Sequence, residues 1–263
     1  MTTIGATGYI VLGALYAVLT VMLVTSWRGT RIASFLIAAC LTSAVWAGFL
    51  AFQVAGNQVD SATLFFLEVL RTGAWLTFLA QLGIGRSARL IAYLSWIAVL
   101  VAGTWVWASN MFLGTVGDIR AVMIPGGLAM ALAVLVVIEQ LYRNAQPAYR
   151  TGIKYLVLGL GGMFAYDLFL YSQALLFNEI EDVSWLARGA VNVLFVPLIA
   201  LAARRNPEWE LRLFVSRQVV FYTTTLVAVG LYLLAMSFGG YVLLRYGGNW
   251  GGLAQTVFIV GAA

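Results

Sequence analysis

Charged side chains within apolar stretches are the residues of this sequence whose types and spacing could do chemistry. Asp167 lies in the stretch FAYDLFLYSQALLF, residues 164–177, and Arg188 lies in the apolar stretch that follows. Glu68 and Arg71 interrupt a third apolar stretch at positions i and i+3, which places both side chains on one face of a helix. Carboxylates and guanidinium groups in such surroundings pair with each other, bind a ligand or carry protons. Their formal charges here sum to zero.

The elements that must position these charges are membrane-spanning helices. Hydrophobic residues make up 62% of the chain and charged residues 10%, and the mean hydropathy is +0.94, outside the range of soluble domains. A helix needs about 20 apolar residues to cross the hydrocarbon core of a bilayer. We therefore predict an all-α fold, a polytopic transmembrane bundle of about eight membrane helices. The predicted spans lie near residues 5–26, 32–54, 62–83, 90–108, 120–142, 153–176, 184–203 and 218–244.

A ninth apolar segment begins near Trp250 and reaches Ala263 after about 14 residues, which is too short to span a bilayer. We expect this to be a truncated ninth helix that would lead into the cytoplasm, where an output domain could follow.

Charge in the loops predicts the orientation of the bundle, because Lys and Arg are retained on the cytoplasmic side. Most of the fifteen basic residues lie in alternate loops, and they are Arg28, Arg31, Arg86, Arg89, Arg143, Arg150, Lys154, Arg204, Arg205, Arg212 and Arg217. The other loops carry Arg120 and Arg245 together with Asp60, Asp118, Glu179, Glu181 and Asp182. The amino terminus is therefore expected outside.

This orientation places all four intramembrane charges in the outer half of the bilayer, roughly 6–15 Å from the outer helix ends at about 1.5 Å per residue. A charge in hydrocarbon costs at least about 2.5 kcal/mol, so we expect pairing, with Asp167 bound to Arg71 or Arg188. Aromatic side chains on the same helices predict the lining of this polar centre, namely Trp75, Tyr166 and Tyr171.

Two interpretations of the polar centre remain open at this stage. It is either a structural ion network that selects one helix arrangement, or a ligand-binding or proton-sensing pocket reached from outside. The acidic loop of residues 179–182 likewise either binds a cation or is simply solvated.

Several classes of chemistry are excluded for this segment by composition. The chain has no histidine, so bis-histidine haem ligation and histidine-based metal catalysis are excluded. Its single lysine, Lys154, lies at a helix mouth, where no retinal Schiff base could form in the membrane interior. We therefore predict no catalytic residue, metal site, cofactor or nucleic-acid partner in this segment. The glycine run at residues 157–162 predicts close helix packing, and Cys40 is expected in the core.

A basic segment, residues 204–217, separates the first seven predicted spans (1–203) from the last part of the chain (218–263). Asn206 and Pro207 suit the start of a short helix. Aromatic and basic side chains of this helix could bind the membrane surface and anionic headgroups, and they are Arg205, Trp209, Arg212, Phe214 and Arg217. The alternative is an ordinary basic cytoplasmic loop.

Several strings of the sequence together resemble one family. They are EQLYRN at 139–144, KYLVLGLGG at 154–162, FAYDLFLYS at 164–172, ARG at 187–189, ARRNP at 203–207, LFVSRQVVF at 213–221 and GGNWGG at 247–252. The chain resembles, over its whole length, the membrane-embedded amino-terminal half of the sensor histidine kinases of the PEP-CTERM/exosortase system.

This resemblance implies a multi-pass sensor region in a bacterial inner membrane, anchored in the lipid bilayer. It further implies a cytoplasmic kinase portion beyond Ala263 that uses ATP and Mg²⁺, a homodimer formed through that portion, and a response regulator as partner. The output would control exopolysaccharide and PEP-CTERM surface-protein expression. Without a histidine or an ATP-binding motif, the segment itself is not a kinase. The alternatives are a small-solute transporter or channel with a buried charge centre, and a non-enzymatic assembly subunit.

Overall fold

The computed structural model describes residues 2–26, 30–82, 90, 93–94, 96–101, 103–105, 108, 120–145 and 147–206, all within the compact unit Met1–Ser216. The described residues form an all-α bundle, as predicted. Its six long helices are α1 Thr2–Thr25, α2 Arg31–Val54, α3 Ser61–Gln81, α4 Arg120–Asn144, α5 Pro147–Phe177 and α6 Asp182–Arg205.

Each of these six helices contains an apolar segment of 21 to 28 residues with a mean hydropathy between 1.3 and 2.5. Segments of this length and composition can cross a bilayer, so the chain is a multi-pass membrane protein. The predicted span 90–108 is described only in part, and its residues 96–101 and 103–105 are helical. The predicted span 218–244 and the segment from Trp250 lie outside the described residues. The total of eight helices and the orientation therefore stay predictions.

Local chemistry fixes the helix ends at one end of the bundle. The Asp60 carboxylate accepts a hydrogen bond from the Thr63 backbone nitrogen at 3.3 Å and caps α3. Gly56 follows α2 with φ +97°, and Asn178 follows α5 with φ +55°, a left-handed conformation that these two residue types tolerate best. The α2–α3 and α5–α6 turns therefore lie at defined positions at this end, which is the predicted outer end.

The six helices of the described part pack in a closed ring, in which α1 contacts α2, each later helix contacts the next, and α6 returns to α1. Glycines allow the ring to close. A Cβ at Gly189 would lie 2.9 Å from the backbone nitrogen of Tyr9, and one at Gly8 would lie 3.0 Å from that of Ala190. Helices α1 and α6 therefore cross with their backbones nearly in contact.

Between α5 and α6, the glycine run makes the close contact that the sequence predicted. A Cβ at Gly159 would lie 3.3 Å from the carbonyl oxygen of Phe195, and one at Gly162 would collide with the Phe195 ring. Gly161 has nothing within 4 Å of the corresponding position, so it faces away from the packed side. Cys40 is fully buried in the core, as expected.

The bundle exposes large apolar side chains, as contact with lipid requires, and buries a small number of polar ones. Large apolar side chains such as Leu158 (57% exposed) and Leu194 (71% exposed) lie on the outside. The buried polar and charged side chains of the described residues are Ser43, Glu68, Arg71, Thr72, Gln140, Asp167, Arg188 and Asn192. The charged residues thus meet inside a core that is otherwise mainly apolar.

Candidate functional site

The four intramembrane charges predicted from the sequence lie together inside the ring. Helix α3 supplies Glu68 and Arg71, α5 supplies Asp167, and α6 supplies Arg188. Glu68 is 5% exposed, and the other three side chains are at most 1% exposed. We call these four residues the charge cluster.

Each arginine of the charge cluster contacts both carboxylates. Arg188 donates from Nε to Asp167 Oδ1 at 2.7 Å, from Nη1 to Glu68 Oε2 at 2.9 Å and from Nη2 to Glu68 Oε1 at 2.5 Å. Arg71 donates from Nη1 to Glu68 Oε1 at 3.2 Å and to Asp167 Oδ2 at 3.3 Å. The sequence left the partner of Asp167 open between Arg71 and Arg188, and the structure places Asp167 against both.

The two arginines are unequally satisfied. All three nitrogens of the Arg188 guanidinium donate within the cluster, whereas Arg71 uses Nη1 alone. Within the described part of the chain, Nε and Nη2 of Arg71 have no hydrogen-bond partner, nor do the side-chain amide atoms of Asn192. One edge of the Arg71 guanidinium, with two donors side by side, is therefore not engaged by the cluster.

Trp46 of α2 completes the cluster, and the sequence analysis missed it. Its indole Nε1 donates to Glu68 Oε2 at 2.8 Å. The Cζ atoms of Arg71 and Arg188 lie 4.1 Å and 4.9 Å from the centroid of its ring, distances typical of cation–π contacts. Trp46 therefore links a fourth helix to the cluster.

Of the three predicted lining residues, Tyr171 lies at the cluster. It is buried, and its ring centroid lies 5.6 Å from Cζ of Arg188. Trp75 is buried one turn further along α3, where its Nε1 donates to Ser43 Oγ at 3.0 Å. Tyr166 is half-buried, and its hydroxyl donates to the carbonyl oxygen of Ser184 at 2.8 Å. Trp75 and Tyr166 thus direct their polar atoms to other partners.

An open cleft of about 550 Å³ leads from the predicted outer end of the ring to the charge cluster. Trp46, Glu68 and Tyr171 form its floor, because Glu68 belongs to the charge cluster and the other two side chains contact the cluster. Its walls are mainly apolar and include Leu50, Val54, Leu64, Met123, Trp185 and Leu186. Its rim includes Arg120, Glu179 and Asp182. A small molecule could therefore reach the charge cluster from this end.

Exposed carboxylates dominate the rim near the α5–α6 turn. Glu179, Glu181 and Asp182 are all exposed. Hydrogen bonds from Ser184 Oγ at 2.7 Å and Gln173 Nε2 at 3.0 Å lower the pKa of Glu181, so its carboxylate is ionised at neutral pH. Among the described residues, no group of three or more acidic, Cys or His side chains is placed to hold a metal ion.

At the opposite end of the bundle, basic residues contact aromatic rings and one carboxylate. Glu139 and Arg143 form an i, i+4 ion pair, with Oε1 and Nη2 2.6 Å apart. Arg205 ends α6, and its Cζ lies 4.8 Å from the centroid of the Tyr155 ring, close to Lys154. The other residues of the predicted membrane-surface segment lie outside the described residues, and they are Trp209, Arg212, Phe214 and Arg217.

No protein-family model, curated protein or solved structure matches this chain at a significant level. The function is therefore argued from the charge cluster and the cleft. Together they form a buried, charge-balanced hydrogen-bond network on four helices, at the floor of a cleft of about 550 Å³.

Proposed function

We propose that the chain is the membrane-embedded input region of a two-component sensor histidine kinase, in which a ligand in the cleft changes how α3, α5 and α6 pack. The observation that carries the proposal is that the floor of the cleft is the charge cluster. Because the cluster joins these three helices, a ligand at the floor contacts the groups that determine their arrangement.

The charge cluster contains donors that an alternative helix arrangement could use. A ligand shifts an equilibrium only by its difference in affinity for the two states. The engaged donors of Arg71 and Arg188 support the observed arrangement, while the unused Nε and Nη2 of Arg71 could bind carboxylate oxygens in another one. A ligand that favours either pairing would therefore bias the helix packing.

The wider context of the proposal comes from the sequence resemblance and the loop charges. In this view the chain has eight membrane helices and a ninth that enters the cytoplasm, with its amino terminus outside a bacterial inner membrane. A kinase domain outside these 263 residues would bind ATP and Mg²⁺, dimerise and phosphorylate a response regulator that controls exopolysaccharide and PEP-CTERM surface proteins.

The test uses inner-membrane vesicles from cells that express the native reading frame containing this chain. Incorporation of labelled phosphate from ATP into acid-labile phosphohistidine is compared between the wild type, Asp167→Asn and the exposed-pair control Glu139→Gln. We expect Asp167→Asn to change the steady-state phosphorylation by about fivefold or more, the lower range of allosteric couplings, and the control to leave it unchanged. Absence of phosphohistidine in the wild type would refute the kinase assignment, and equal labelling in Asp167→Asn would remove the cluster from the signal path.

A small-solute transporter or channel is the second candidate, because the cleft ends on buried charges about 10–15 Å along the helices, and transporters bind substrates near the bilayer midplane. Flux of labelled solutes into proteoliposomes separates the two proposals. The transporter predicts flux that the cleft-filling substitution Leu64→Trp abolishes, whereas the sensor predicts no flux in either protein.

A further inference from the structure

The cleft has the size and composition of a small-molecule site. Its volume of about 550 Å³ lies within the range of ligand pockets, about 300–1,000 Å³. From the first residue of α3 to Glu68 the helix rises about 10 Å at about 1.5 Å per residue, which approximates the depth of the cleft. A ligand of this length would contact both the rim and the floor.

The floor does not provide a binding site for a charged group. The two oxygens of Glu68 accept four hydrogen bonds, one from Trp46, one from Arg71 and two from Arg188, which uses the full capacity of a carboxylate. The charge cluster is formally neutral, so it attracts neither sign of charge strongly. The floor instead presents the aromatic rings of Trp46 and Tyr171 to a ligand. The buried hydroxyl of Tyr171 has no hydrogen-bond partner within the described residues.

The rim, in contrast, carries net negative charge. Glu179 and Asp182 line the cleft and are exposed, and Glu181 lies between them in sequence. Arg120 is the basic residue among the described residues that line the cleft. Two carboxylates that line the rim beside one guanidinium, with Glu181 next to them in the same turn, attract cations and repel anions, and apolar walls with few counter-charges focus that field into the opening.

We propose that the cleft binds an amphipathic organic cation, with its ammonium group beside Glu179 and Asp182 and its apolar end against Trp46 and Tyr171. The inference rests on the proposed function in naming the ligand of the sensor, but it concerns binding alone. Aromatic rings and carboxylates are the groups that proteins use to hold organic ammonium ions. Here they are separated along the cleft, so the ligand must be apolar at one end and cationic at the other.

The experiment measures the binding of three probes that share an indole ring and differ in charge, namely tryptamine (cation), tryptophol (neutral) and indolepropionate (anion). The full natural protein is placed in phosphatidylcholine nanodiscs, and empty nanodiscs correct for partitioning of the probes into lipid. We expect tryptamine to bind on the order of tenfold more tightly than tryptophol, the effect of two exposed ion pairs, and indolepropionate to bind most weakly.

Substitutions at the rim and in the wall test the two halves of the site separately. Glu179→Gln with Asp182→Asn should remove the preference for tryptamine and leave tryptophol binding unchanged. Leu64→Trp should fill the cleft and abolish the binding of tryptamine and of tryptophol. Asp60→Asn is the matched control, because it removes an exposed carboxylate at the same end that does not line the cleft, and Asn still caps a helix.

The proposal is overturned if tryptamine binds no better than tryptophol, if indolepropionate binds best, or if the rim substitutions leave the preference intact. It is also overturned if none of the three probes binds to protein that retains its wild-type unfolding temperature. The phosphorylation assay distinguishes this failure from failure of the sensor proposal. Tryptamine binding without any phosphohistidine would retain the site and refute the kinase, and the reverse result would retain the kinase and refute the ligand class.

Discussion

Asp167→Asn should destabilise the bundle strongly, because it leaves two buried guanidinium groups with one carboxylate. The oxygen of the introduced amide could still accept from Arg188 Nε, but an amide N–H would face Arg71 Nη1, and two donors would then meet. Removing one partner of a buried ion pair costs about 3–5 kcal/mol. Because one acceptor remains, we expect the free energy of unfolding to fall by about 3 kcal/mol. At about 2–4 °C per kcal/mol, this corresponds to a fall in unfolding temperature of roughly 6–12 °C.

Arg71→Met should lower the free energy of unfolding by a similar amount, because it leaves two buried carboxylates with Arg188 alone and so creates an excess of negative charge. The double variant restores the balance. It retains the paired hydrogen bonds between Glu68 and Arg188, at 2.5 and 2.9 Å, and removes the arginine that is only partly satisfied. Replacing a whole buried pair is often nearly neutral, so we expect the double variant to unfold within about 1 kcal/mol of the wild type.

Cys40 supplies the assay, because it is the single cysteine of the sequence and is fully buried. A thiol-reactive dye therefore labels the chain as it unfolds on heating in detergent. The exposed pair Glu139 and Arg143, at 38% and 48% side-chain exposure, is the control, and its double-mutant cycle should show coupling below about 1 kcal/mol. If the effects of Asp167→Asn and Arg71→Met simply add in the double variant, the account of a charge-balanced cluster is wrong.

Three further predictions concern the same unfolding temperature, which in acid is followed by tryptophan fluorescence because a cysteine reacts with the dye as its thiolate. Trp46→Phe keeps an aromatic ring but loses the donor to Glu68, and should lower the free energy of unfolding by about 1.5–3 kcal/mol. An unchanged free energy of unfolding would mean that this hydrogen bond contributes nothing to stability. Gly189→Ala places a Cβ 2.9 Å from a backbone nitrogen of α1 and should lower the free energy of unfolding by about 1–3 kcal/mol. Gly161→Ala, whose Cβ would enter open space, should leave that free energy unchanged or raise it. Equal effects of the two substitutions would refute the close crossing. The pKa of Glu181 is lowered in the folded state, so the contribution of its carboxylate to stability is complete above pH 4.5 and is lost as the pH falls through the lowered value. The difference in unfolding temperature between the wild type and Glu181→Gln should therefore disappear in acid. A difference that grows in acid would contradict the assignment.

The membership of the charge cluster could be predicted from the sequence, because apolar flanks and the helical rise fix the depth of each charge. The pairing within it could not. Glu68 and Arg71 share one face of α3, but whether Asp167 meets Arg71, Arg188 or both depends on the order of helices around the ring. That order follows from side-chain shape at many contacts, such as Gly189 against α1, and leaves no periodic signal.

Of the predicted lining residues, Tyr166 could have been excluded by helical geometry. Tyr166 precedes Asp167 directly, and adjacent residues point about 100° apart on a helix, so the two could not share a face. Tyr171 is at i+4 from Asp167 and does share it. Trp46 was missed because its helix carries no charge within the apolar stretch, and nothing in the sequence separates it from the other eight tryptophans.

The pairing pattern of the charge cluster also bears on how the chain enters the membrane. Glu68 and Arg71 neutralise each other within α3, and Asp167 and Arg188 neutralise each other across the short turn between α5 and α6. Neither pair carries net charge, and the α3 pair precedes the α5–α6 pair in the order of synthesis. Each ion pair can therefore enter the lipid as a neutral unit in the order of synthesis. The charge cluster then forms when the helices associate laterally within the bilayer.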